Sequence, residues 1–197
     1  MPLETFFALF TFAFVASMTP GPNNVMLMAS GVNFGFRRTV PHMLGVAIGF
    51  TVLTLCVGFG LGTVLALFPW LHTALKIAGV AYLCYLAWRI ATSGPMEHAD
   101  AAARPLSFVE AAAFQWVNPK AWVGSVSAMA VYTSTEAPFL SVLIVTLVFM
   151  IVSVPSVTTW TAFGTMLRRF LSDPVRLRWF NIAMGFALIV SIWPMLR

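Results

Sequence analysis

Long stretches of this chain carry no charge at all. There are 32 uncharged residues between Glu4 and Arg37, 37 between Arg38 and Lys76, 31 between Glu136 and Arg168, and 18 between Arg178 and Arg197. A helix needs about 20 mainly apolar residues to cross a bilayer, so these gaps alone hold at least four crossings. Of the 197 residues, 60% are hydrophobic and 9% charged, against roughly 25% charged in an average soluble domain. A soluble chain of this length lacks the polar residues to cover its surface. A disordered one would be far less apolar. The uncharged runs also greatly exceed the roughly ten-residue alternating segments of barrel strands. What remains is an all-α, polytopic membrane protein.

Six spans are expected at about 5–32, 39–67, 71–91, 107–132, 138–163 and 178–196. Met1 to Thr19 holds Glu4 and no Lys or Arg, so it is expected to be a retained first span and not a cleaved signal, which needs a basic start. The polar stretch 92–106, with Glu97, His98, Asp100 and Arg104, reads as a central loop. It divides the chain into a first repeat (1–92), a cytoplasmic linker (93–106) and a second repeat (107–197).

The net charge is +5. The basic residues sit in short loops between apolar runs, which fits membrane orientation and lipid contact and not nucleic acid. Arg37, Arg38, Arg89, Arg104, Arg168, Arg169, Arg176 and Arg178 fall in the loops after spans one, three and five. The positive-inside rule places those loops in the cytoplasm and both termini outside. Trp70, Trp88, Trp160, Trp179 and Trp193 lie near expected span ends, as in an aromatic belt, whereas Trp116 and Trp122 do not.

Two spans are interrupted at corresponding places. The first holds Thr19-Pro20-Gly21-Pro22-Asn23-Asn24, where two prolines remove two backbone donors. The fourth holds Gln115-Trp116-Val117-Asn118-Pro119-Lys120. Asn24 and Asn118 are close to half a chain length apart. With three spans in each half, the second half is inverted relative to the first. Interrupted segments at matching positions of inverted repeats mark the binding site of a secondary transporter. A break frees N–H and C=O groups at membrane depth, where only protein or a watery cavity can satisfy them. Helix-half N-termini suit a carboxylate and C-termini an ammonium, and an amino acid has both. The candidate binding residues are therefore Pro20, Gly21, Pro22, Asn23, Asn24, Gln115, Asn118, Pro119 and Lys120, with Lys120 and freed amides on the carboxylate and Asn side chains with freed carbonyls on the amine. A kinked helix with Asn bonded across helices is the plainer alternative for either motif alone.

Other features read as structural. Cys56 and Cys84 read as small buried hydrophobes; a thiol–disulfide carrier would need them to meet. Lys76 reaches toward the outer interface. Gly45, Gly49, Gly58 and Gly62 have close-packing spacing, which also offers a face for a homodimer. His42, beside Pro41, reads as a bonded interfacial histidine ahead of a proton relay. No metal site, cofactor or enzymatic centre is expected, and no acidic residue lies at mid-membrane to carry a coupling proton.

The run Ala16-Ser17-Met18-Thr19-Pro20-Gly21-Pro22-Asn23-Asn24 resembles the signature of the LysE/RhtB family of amino-acid exporters. Gly35-Phe36-Arg37 with Gly45 and Gly49, Lys76 to Leu83, Leu86 to Ser93, and Gln115 to Lys120 are similar to further family motifs, so the likeness covers nearly the whole chain. The resemblance implies a bacterial inner-membrane exporter of amino acids or close derivatives, driven by the proton gradient. Many members carry Asp where Asn23 stands. The Asn-Asn form resembles the cysteine/O-acetylserine and homoserine/threonine exporter branch, and it removes one candidate coupling carboxylate.

Overall fold

The computed structural model describes residues 1–93 and 104–193. The linker residues Glu97, His98 and Asp100, and Arg197, lie outside the described residues. All regular structure among the described residues is helical: α1 (Leu3–Met18), α2 (Pro22–Phe34), α3 (Phe36–Cys56), α4 (Gly62–Leu67), α5 (Pro69–Ala91), α6 (Phe108–Phe114), α7 (Pro119–Tyr132), α8 (Pro138–Phe170) and α9 (Pro174–Val190).

Proline sets the starts. α2, α5, α7, α8 and α9 each begin on one, where its missing N–H belongs to the unpaired first turn anyway. The residue before each is driven out of the helical region by the proline ring. Gly21, Phe68, Asn118, Ala137 and Asp173 all have non-helical backbone. α6 starts instead with a capping box. The Ser107 hydroxyl accepts from the Glu110 amide, and the Glu110 carboxylate accepts from the Ser107 amide and from Arg104 at 2.6 Å.

Among the described residues three helices are long and apolar enough to cross a membrane: Phe36–Leu67 (α3 with α4), Thr73–Ala91 within α5, and Pro138–Phe170 (α8). The α1–α2 pair, bent by 52°, makes a fourth when taken as one broken span. α3 exposes Leu44, Ile48 and Val52, one turn apart, at 50%, 46% and 43%. An apolar stripe this exposed suits lipid.

Two connections differ from the sequence expectation. Spans one and two were expected to be separated by a short loop. A single residue joins α2 to α3, Gly35 at φ 81°. A side chain there would be strained and would meet the Arg168 guanidinium, and Arg37 and Arg38 lie in the first turn of α3. The second span is also broken, by a π-type turn over Val57–Leu61 with Gly60 at φ 105°.

In lipid the apolar tails compete with side chains for apolar contact, so helices associate through close packing at small residues. Gly45 and Gly49 of α3 lie against Phe108 and Ala112 of α6, so this face is filled from within the chain. Gly58 is tightly packed against Val142 and Met129, and Gly62 touches nothing closely. Gly31 and Gly164 bring the α2 and α8 backbones together, and Gly185 does the same for α9 on α5. α1 and α2 pack on α8, α6 and α7 pack on α3, α3 packs on α8, and α5 pairs with α9. Two apolar clusters result. One gathers Leu27, Met43, Val46, Phe114 and Leu188; the other gathers Leu9, Leu53, Ala128, Phe149 and Val152.

Candidate functional site

The two breaks meet. α1 ends at Met18 because Thr19 and Gly21 each precede a proline and are extended. Asn118, preceding Pro119, is extended in the same way and caps α7, its Oδ1 accepting from the Lys120 amide at 3.1 Å.

The carbonyls that α1 leaves unpaired find side-chain donors. Asn24 Nδ2 donates to Ser17 O and Thr19 O, both at 2.9 Å, and Ser156 Oγ of α8 donates to Ser17 O at 2.8 Å. Lys120 Nζ, from the other break, donates to Thr19 O and Pro20 O. Gly21 makes room for this. A side chain there would run into the Lys120 stem, with Cδ 2.7 Å from an added Cβ. The carbonyls expected to await an ammonium are thus held by the protein's own cation.

A reciprocal amide pair ties the breaks together a second time. Asn23 Nδ2 donates to Gln115 Oε1 at 2.8 Å, and Gln115 Nε2 donates to Asn23 Oδ1 at 3.1 Å. Gln115 is fully buried and also donates to Ala111 O. A buried amide this fully bonded has one favoured rotamer, so the pair fixes the register of the two breaks. Lower on α2, Asn33 exchanges the same kind of pair with Asn181 of α9 at 2.8 and 3.0 Å.

A cavity of about 310 Å³ opens beside the breaks. Of the expected residues, Gly21, Asn23, Asn24, Asn118 and Lys120 line it. Gln115 stands behind Asn23, and Pro20, Pro22 and Pro119 shape the backbone without lining the cavity. Val46 and Val157 come from one apolar cluster and Phe149 and Ala121 from the other, so the cavity lies between the two. Ser153 and Ser156 of α8 add hydroxyls to the wall, as Ser17 and Ser127 do from α1 and α7. Sequence reasoning missed the α8 serines. The signal for them is Ser153-Val154-Pro155-Ser156, two hydroxyls flanking a proline within the α8 span.

Two other expectations are corrected, for the cysteines and for His42. Cys84 is exposed, not buried, and Cys56 is intermediate; both thiols are free. Trp122 donates from its indole to Trp116 O at 2.8 Å and braces the second break. His42 is neither interfacial nor bonded. It is 1% exposed, and neither ring nitrogen has a hydrogen-bond partner.

Two broken helices meeting at a largely apolar cavity that carries Asn, Lys and Ser groups, inside an apolar helical body, fit a membrane translocator. The family model for LysE type translocators matches residues 14–191, and the chain belongs to that family. It is 30% identical to the cysteine/O-acetylserine efflux protein of Escherichia coli O139:H28 (strain E24377A / ETEC) over 184 residues, 92% of each chain. The proteins of the same name from Escherichia coli (strain K12) and Shigella flexneri are 35% identical over 135 residues, 68% of each chain. No solved structure matches.

Proposed function

We propose that this chain is a proton-coupled secondary transporter that exports small neutral amino acids or close derivatives across the bacterial inner membrane. The observation that supports it most is the meeting of both breaks at one cavity, with Lys120 spanning them. At about 310 Å³ the cavity is at the small end of the ligand-site range, which favours a small substrate. Lys120 Nζ stands on its wall as the partner for a carboxylate. Asn24, Asn118 and the α8 hydroxyls offer acceptors for an amine. Among the described residues the cavity wall carries no carboxylate that a cationic side chain would select. The names of the efflux relatives agree with this substrate class.

Six spans in two inverted repeats, 1–92 and 107–197 around the 93–106 linker, complete the proposal. The helix pairing supports it. Exchanging the halves turns the α1/α2 contact with α8 into the α6/α7 contact with α3, and leaves the α5–α9 and α3–α8 contacts unchanged. An inverted repeat requires this pattern, and alternating access would open one apolar cluster at a time on either side of the cavity.

The test is counterflow in proteoliposomes with radiolabelled cysteine, O-acetylserine, serine, threonine and lysine. Saturable exchange of the small neutral amino acids and little of lysine is expected. Lys120→Met should insert normally and lose at least about tenfold in exchange, the size of one charge-assisted contact of roughly 1.5–3 kcal/mol. Wild-type exchange by that variant would remove Lys120 from the site. Non-saturable flux would mean a passive channel, and loss of flux on replacing both cysteines with Ala would favour a thiol carrier.

A further inference from the structure

His42 lies three residues after Thr39, whose hydroxyl is bonded to Ser30 of α2, and three before Gly45, which is pressed on Phe108 and Ala111 of α6. It therefore sits in the seam between α2, α3 and α6. One turn further along α3 is Val46, a wall residue of the cavity. Burying a polar ring without partners is costly, and the surrounding buried amides show that this fold otherwise avoids it: Asn24, Asn33, Gln115, Asn118 and Asn181 are all bonded. Among the described residues the other buried side-chain polar atoms without partners are the hydroxyls of Thr146 and Thr161. His42 is the member of that set whose side chain can take up a proton.

The charges facing it are few. Glu110 on α6, already bridged to Arg104, and Arg89 on α5 act on it, and Tyr82 on α5 shares both of these neighbours. α2 carries no ionisable residue, α7 carries Lys120, which is bonded to α1, and Tyr132 at its far end, and α8 carries only Arg168 and Arg169, in its last turn. Arg37 and Arg38 lie in the first turn of its own helix.

Building on the proton-coupled reading above, we infer that His42 carries the coupling proton. A neutral imidazole can stay in the closed seam. An N–H bond formed with a proton from water gives a ring with two donors and no acceptor. That cation is stable only where the α2–α3–α6 seam parts and admits water or brings the Glu110 carboxylate to it. Loss of the proton to water on the other face lets the seam close again. Val46 moves with the seam, so protonation and access to the cavity change together.

The experiment uses the full chain in proteoliposomes with reduced, radiolabelled cysteine. One pH unit across the membrane should drive about tenfold accumulation for one proton per substrate. With the ring hydrated in the parted seam, gradient-free counterflow should show an inflection between about pH 5 and 8. His42→Gln should hold accumulation near unity and flatten the pH profile while still exchanging cysteine. Gradient-driven accumulation by His42→Gln equal to wild type would overturn the assignment. Loss of exchange together with accumulation in a correctly inserted variant would overturn it too. If the Gln variant does not insert, His42→Asn and the wild-type profile decide, and a flat wild-type profile rejects the assignment. Absence of wild-type counterflow defeats the transport reading itself, whereas intact counterflow with uncoupled-from-His42 accumulation defeats only this one.

Discussion

Asn23 and Gln115 show how much of the site depends on single side chains. Each amide satisfies the other, and Gln115 is fully buried. Truncating one leaves the other unpaired, at about 1–3 kcal/mol. Asn23→Leu and Gln115→Leu should each lower the thermal midpoint in detergent. The double variant should cost less than the two added together, by at least about 0.5 kcal/mol of coupling. Strict additivity would mean that the pair does not hold the breaks together. The break residues themselves were legible in the sequence, because proline removes donors wherever it stands. Their partners were not. That Lys120 bonds to Thr19 O and Pro20 O depends on where α1 and α7 cross, which no local rule specifies. His42 was misread for a similar reason. Its place near a span end suggested an interface, and only the packing of α2 and α6 over it makes it interior.

Helix existence followed from hydropathy, and most helix starts followed from proline. Helix joints were harder. Gly35 alone turns the chain between α2 and α3, where a longer loop was expected. Gly58 and Gly62, read for packing spacing, flank a break of the second span at Gly60; Gly58 is tightly packed and Gly62 is not. The Gly31–Gly164 contact escaped notice because its members stand in different halves with no common motif. It has a measurable signature. A methyl at Gly164 would meet the Met28 backbone, which cannot swing aside, so Gly164→Ala should destabilise by about 1–3 kcal/mol. Gly62 is helical at φ −59° with only distant neighbours, and Gly62→Ala should be neutral or stabilising by up to about 1 kcal/mol. Equal effects of the two substitutions on the thermal midpoint would remove α2–α8 contact from among the forces that hold the fold.

At the scale of the molecule, the exposed apolar stripes and the asymmetry of arginines define how the chain should lie. In a variant with Cys56 and Cys84 replaced by Ala, a cysteine at Glu136 should react with a membrane-impermeant thiol reagent in intact cells. A cysteine at Ser172 should react only after lysis. The reverse pattern would invert the topology. Class was readable because a bilayer imposes it on composition; the orientation put to this test rests on the arginine asymmetry. The cavity was only half readable, because α8 lends it serines and an aromatic wall from a span with no break to advertise it. The bond from Lys120 to the end of α1, together with the Asn23–Gln115 exchange, means that neither half of the chain owns a finished site. Natural selection therefore meets positions 23 and 115 as one composite character. A change of substrate written at one must be answered at the other, and relatives that differ at position 23 carry information about what stands at 115.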